Sequence, residues 1–180
     1  LDMCSTSRDK AQVLYPYLVA DDALMQYVVY SYSNHLSTGS SDSVDFSNDS
    51  LLFLLYGFYH FGLAPLDYAD STLQRCYEGF RSVMRTIGVI ESEHSVTGSP
   101  PMIGKVPLLV AMGYSYDDSD DDWFRSPTGL RYLFQPDSRW NEFYDRAAET
   151  DAWRFVELHG SLRLRPEEDP YSWIEAEVDE

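Results

Sequence analysis

Lysine is nearly missing. Lys10 and Lys105 are the only two in 180 residues, and with the arginines they make 13 basic residues against 30 acidic ones. Following a phosphate backbone takes a basic stripe that such a chain cannot assemble, so direct nucleic-acid binding is disfavoured. Docking on an anionic membrane surface is disfavoured for the same reason. Cysteine is scarce too: Cys4 and Cys76 are too few for a disulfide scaffold and read as a terminal thiol and a core thiol. The longest apolar run, Leu51 to Leu66, contains His60 and Pro65 and falls short of the ~20 residues of a membrane span. No membrane helix is expected.

Catalytic and cofactor signatures are equally sparse. There is no Gly-x-Ser-x-Gly elbow, no Cys-x-x-Cys pair and no phosphate-binding glycine pattern. The histidines His35, His60, His94 and His159 are scattered, without the i, i+4 pairing of a zinc helix. No cofactor is expected. The chain opens at Leu1 without a basic segment ahead of an apolar one, which reads as a trimmed or processed start and leaves the compartment undetermined, leaning intracellular rather than secreted.

What is present is apolar mass and negative charge. Hydrophobic residues make up 44% and aromatics 15%, enough for one packed core at this length, where roughly 70% of the unfolded surface is removed from water. The net charge is −17, distributed as −5, −4 and −8 over successive thirds. Close carboxylate pairs repel by roughly 1 kcal/mol in water, a cost that solubility does not require. A basic partner would relieve it.

Periodicity assigns most elements to helix. In residues 71–87, Leu73, Cys76, Tyr77, Phe80, Met84 and Ile87 recur on one face, with a Ser71/Gln74 capping box before them and Gly88 after. Residues 22–36 form a second stripe behind Asp21 or Asp22. Residues 51–62, apolar nearly all round behind Ser47, Asn48 and Asp49, read as a helix buried on every side. Residues 37–50 and 88–106 read as loops, the second unusually long. Pro107 opens a short helix closed by Gly113. Asp137 or Ser138 caps a helix carrying Trp140, Phe143, Tyr144 and Ala147, and Asp151 caps a further turn or two ending at Gly160. The expected fold is mainly α: a single compact domain of about five to seven helices over residues 1–165, with room for a minor strand pair. An acidic C-terminal tail, 166–180, follows.

One stretch concentrates the charge. In "YSYDDSDDDWF", Asp117, Asp118, Asp120, Asp121 and Asp122 are bracketed by Tyr114, Tyr116, Trp123 and Phe124. An EF-hand reading from Asp118 fails, because Trp123 stands where the sharp-turn glycine belongs and Gly129 where the bidentate glutamate belongs. As a binding element the pattern makes sense: carboxylates set association rate and selectivity while the rings supply contact energy. Its plain counterpart is a solvated loop whose flanking rings pack into the protein's own core. Glu167, Glu168 and Asp169 form a second acidic patch. Glu91 or Glu93 with His94 is the candidate set for a rival reading as a metal-dependent hydrolase, and a subunit of a larger assembly is a third.

A local resemblance completes the reading. "SNDSLLFLLYGF", Ser47 to Phe58, resembles the tail of SET-domain lysine methyltransferases of the Rubisco-methyltransferase type, in which an Asn-x-x-Leu-Leu segment leads into Tyr-Gly-Phe. Asn34-His35 lies too near Tyr56 for that family's spacing, and the Tyr-Gly that precedes its Ser-Asn is missing, so no methyltransferase role is carried over. The expectation is instead a non-enzymatic acidic protein that engages a basic protein partner, as an inhibitor, immunity factor or DNA mimic.

Overall fold

Capping chemistry, more than helix propensity, sets where the elements of this chain begin and end. In the computed structural model, which describes residues 4–37, 42–60, 70–117, 128–136, 138–149, 153–158 and 161–166, the fold is mainly helical. The helices are α1 (Ser7–Ala20), α2 (Ala23–Ser37), α3 (Asn48–His60), α4 (Asp70–Ile87), α5 (Lys105–Asp117), α6 (Thr128–Tyr132) and α7 (Ser138–Ala148). Two antiparallel strand pairs accompany them: β1 (Val44–Asp45) with β2 (Thr97–Gly98), and β3 (Trp153–Leu158) with β4 (Ser161–Pro166). No helix among the described residues is long and apolar enough to cross a membrane.

α1 starts with a reciprocal box in which Thr6 Oγ1 accepts from Asp9 N at 3.0 Å and Asp9 Oδ2 accepts from Thr6 N at 3.0 Å. Ser5 donates to the same carboxylate, and that bond, more than the others, holds the Asp9 carboxyl below the ordinary carboxylate range. At α2, Asp22 Oδ1 accepts from Met25 N at 2.8 Å, as its position in the sequence predicts. α4 ends where expected: Gly88 takes a φ of 90°, and Val89 N and Gly88 N donate to Met84 O and Arg85 O, a Schellman closure. Its start differs, because the helix already includes Asp70, and Gln74 donates to Glu78 instead of capping.

The core gathers Tyr15 and Val19 of α1, Val29 of α2, Met84 and Ile87 of α4, Leu109 and Met112 of α5, and Tyr132 and Phe134 around α6. Gln12 Nε2 donates to Ile87 O at 2.8 Å inside it, tying α1 to the end of α4. The two segments read as loops contribute to this core. Val44 and Phe46 are buried beside β1, and the long 88–106 connection carries β2 together with buried Val89, Ile90 and Ile103. Arg85 pins it by donating to Ser92 O and Glu93 O at 3.2 and 2.8 Å.

Four readings are corrected. Cys76 is exposed and Cys4 buried, the reverse of the expected placement, and both are free thiols. α5 runs through Gly113 to Asp117. Residues 153–158 form a strand where a short helix is expected, paired with β4 in a register that sets Phe155 opposite Leu164. α3 is not buried all round: Leu51, Leu55 and Phe58 face inward, while Phe53 and Tyr56 remain 77% and 61% exposed. The physical reason is that α2 covers one flank of α3 and leaves the opposite one uncovered among the described residues.

Buried tyrosines make stability fall at high pH. Burial, offset by a hydrogen bond with Ser50 and reinforced by the Asp45 charge, pushes the Tyr32 hydroxyl from 10.0 up to about 12, and burial alone raises Tyr15 well above its ordinary value. A raised acid favours the fold while it is protonated. The stabilisation is therefore complete below about pH 10 and is lost as pH climbs toward about 12. The Tyr15 hydroxyl has no hydrogen-bond partner among the described residues, so Tyr15→Phe is expected to stabilise by about 1 kcal/mol at neutral pH and to flatten the alkaline decline, as read by urea titrations at neutral and alkaline pH.

Candidate functional site

The acidic run begins at the C-terminal end of α5. Tyr114 is 6% exposed, with its ring 4.9 Å from Tyr17 edge-on and 5.8 Å from Tyr132. It is a core residue, which removes it from the set of exposed contact rings. The backbone of Tyr116 and Asp117 completes α5. Asp118, Asp120, Asp121, Asp122, Trp123 and Phe124 lie outside the described residues, as do Glu167, Glu168 and Asp169. α5 has no basic residue in its last turn to offset the negative end of the helix dipole. A cation there would stabilise by typically about 0.3–1 kcal/mol.

Several described arginines donate to uncharged acceptors. Arg81 donates to Phe46 O and to Asn48 Oδ1, Arg85 to the two loop carbonyls, and Arg131 to Asn34 Oδ1 at 2.8 Å. Arg139 pairs with Glu142 along α7. Asp42, Asp49, Glu91 and Glu93 are exposed and form no ion pair with any described residue. Asp45 directs its carboxylate to Ser47 N and Ser47 Oγ, both at 2.8 Å.

Uncovered rings occur on α3. Asp49, Phe53, Tyr56 and His60 follow one another at helical spacing and are all exposed. Ser47 Oγ caps this helix by accepting from Ser50 N, which fixes its start beside β1 and sets Asp45 and Asp49 at the head of the aromatic ridge. Next to the ridge, α2, β1 and α3 enclose a cleft of about 230 Å³ that includes Tyr32, His35, Asp45, Ser50, Phe53 and Leu54. At its base Tyr32 Oη lies 2.9 Å from Asp45 O and 3.0 Å from Ser50 Oγ. A second concavity of about 210 Å³ between α2, α3 and α4 is walled by Met25, Leu51, Leu55, Tyr77 and Phe80, with Cys76 at its edge.

No protein-family model matches this chain, and neither a curated protein nor a solved structure matches it significantly. Chemistry must therefore be argued from the residues themselves. Glu91, Glu93 and His94 are all exposed on the loop that Arg85 holds, and among the described residues no three metal-ligating side chains converge. The α3 ridge is the site that sequence reasoning misses. Its signal is present: within one apolar run, the stripe Leu51, Leu55, Phe58 is purely apolar, whereas the stripe Asp49, Phe53, Tyr56, His60 carries polar ends.

Proposed function

We propose that this protein is a non-enzymatic acidic binding protein that engages a basic protein partner, acting as an inhibitor, immunity factor or DNA mimic. The observation that carries the reading is the exposed pair Phe53 and Tyr56 on α3, headed by Asp45 and Asp49, which form no ion pair with any described residue. Large rings left in water forgo roughly 1.5–3 kcal/mol each of burial, which a partner can recover. Binding energy concentrates in such aromatic anchors, and surrounding carboxylates select cationic partners by speeding encounter. The Asp117 to Asp122 run supplies a second, denser source of the same field. Along a rigid scaffold, closely spaced carboxylates imitate a duplex that carries about one charge per 1.7 Å.

The reading is tested by a pull-down at low and then raised salt, with nuclease treatment and identification of the eluted proteins. Basic proteins should be captured at low salt and released as salt rises. Replacing both rings, Phe53→Ala with Tyr56→Ala, is expected to weaken capture on the order of 100-fold while leaving the melting temperature unchanged, because both side chains are exposed. Salt-insensitive capture, or capture unaffected by loss of the two rings, would count against it.

A further inference from the structure

We propose that the cleft between α2, β1 and α3 receives an arginine side chain of the basic partner. The inference rests on the acidic-binding reading and adds the chemical identity of the group that is held. It follows from where the hydrogens of the cleft's hydroxyls already go. Tyr32 Oη lies 2.9 Å from Asp45 O, a carbonyl that can only accept, so the single phenolic hydrogen is directed there. The contact between Tyr32 Oη and Ser50 Oγ at 3.0 Å then requires Ser50 to donate. Ser31, a further lining residue, donates to Tyr27 O at 2.7 Å. All three hydroxyls have thus spent their hydrogens inside the protein and keep only lone pairs to offer. The Asp45 carboxylate is acceptor-only as well, and among the described lining side chains only His35 can supply a donor.

A ligand suited to such a cleft brings donors and no negative charge. The remaining lining, Val44, Phe53 and Leu54, is apolar, and Phe53 stands 77% exposed at the edge. A guanidinium combines the required features: a planar cation with five donors, weak hydration, a face that stacks on an aromatic ring and an apolar stem. Lysine fits less well, since its ammonium is compact and strongly hydrated and cannot stack.

The test uses the whole isotope-labelled protein at pH 8, titrated with one short capped peptide carrying arginine, and with its lysine and citrulline counterparts. Backbone amide shifts are followed by NMR. The arginine peptide is expected to give saturable shifts centred on Tyr32, Ser50 and Phe53, with the uncharged citrulline peptide and the lysine peptide each roughly tenfold weaker or more. Phe53→Ala, a change at an exposed position, is expected to weaken the arginine peptide several-fold without altering the spectrum far from the cleft. Equal binding of citrulline, equal binding of lysine, or shifts centred elsewhere would each overturn the assignment. Failure of the broader reading looks different, because it appears as loss of salt-sensitive protein capture; capture retained by a protein whose cleft ignores arginine would reject the subsite alone.

Discussion

Gly129→Ala is expected to destabilise the fold by about 3 kcal/mol, more than any surface change in this chain. A Cβ built on Gly129 would run into Ala111 O and lie 2.8 Å from Ala111 C and 3.0 Å from Ala111 Cα. Those are backbone atoms of α5, which cannot rotate aside as a side chain could. α6 is one and a half turns long and docks through this contact, so separating it from α5 also loosens Leu130, Tyr132 and Leu133, each 2% exposed or less. For a domain of this length, about 3 kcal/mol corresponds to a melting temperature lower by roughly 6–12 °C. Gly79→Ala provides the opposite sign. A Cβ at Gly79, in the exposed middle of α4, meets nothing within 4 Å. It should stabilise by about 0.5–1 kcal/mol through helix propensity and a less flexible unfolded chain. Thermal and urea denaturation of the two variants checks both; a Gly129→Ala protein as stable as the parent would refute the close α5–α6 approach.

How legible these elements are in the sequence depends on whether one face of each is chemically uniform. α4 is legible because its inward positions are apolar and its outward ones are Gln74, Arg75, Glu78, Arg81 and Arg85, with a glycine where the chain must turn left-handed. α1 is not, since its face toward the core includes Gln12 and Pro16 while Leu14 and Leu18 are half-exposed, so apolar spacing points nowhere. Its Thr6-x-x-Asp9 box is the usable signal. β3 is misread because Asp151 resembles a helix cap, and β4 is left unassigned although Leu162 and Leu164 alternate with Arg163 and Arg165 at the period of a strand. The α3 ridge is hidden by composition: phenylalanine and tyrosine in an apolar run signal burial and binding in the same way, and only the packing partners tell them apart.

Replacing Asp117, Asp118, Asp120, Asp121 and Asp122 by asparagine is expected to slow association with the proposed basic partner on the order of 10–100-fold at low salt and to flatten its salt dependence. Charges that steer an encounter act before contact, so the effect belongs in the on-rate. Loss of the α3 rings, whose proposed role follows contact, belongs in the off-rate. The two variants therefore separate in a kinetic binding assay even where their equilibrium affinities coincide. Stability should change by no more than about 0.5 kcal/mol. Steering fades beyond a Debye length of ~8 Å at physiological salt, so the wild-type advantage should shrink steeply as salt is added while the five-asparagine protein stays nearly constant. An on-rate that ignores these five substitutions would remove the acidic run from the binding surface and leave the exposed α3 face, with Asp45 and Asp49 at its head, as the source of any remaining charge dependence.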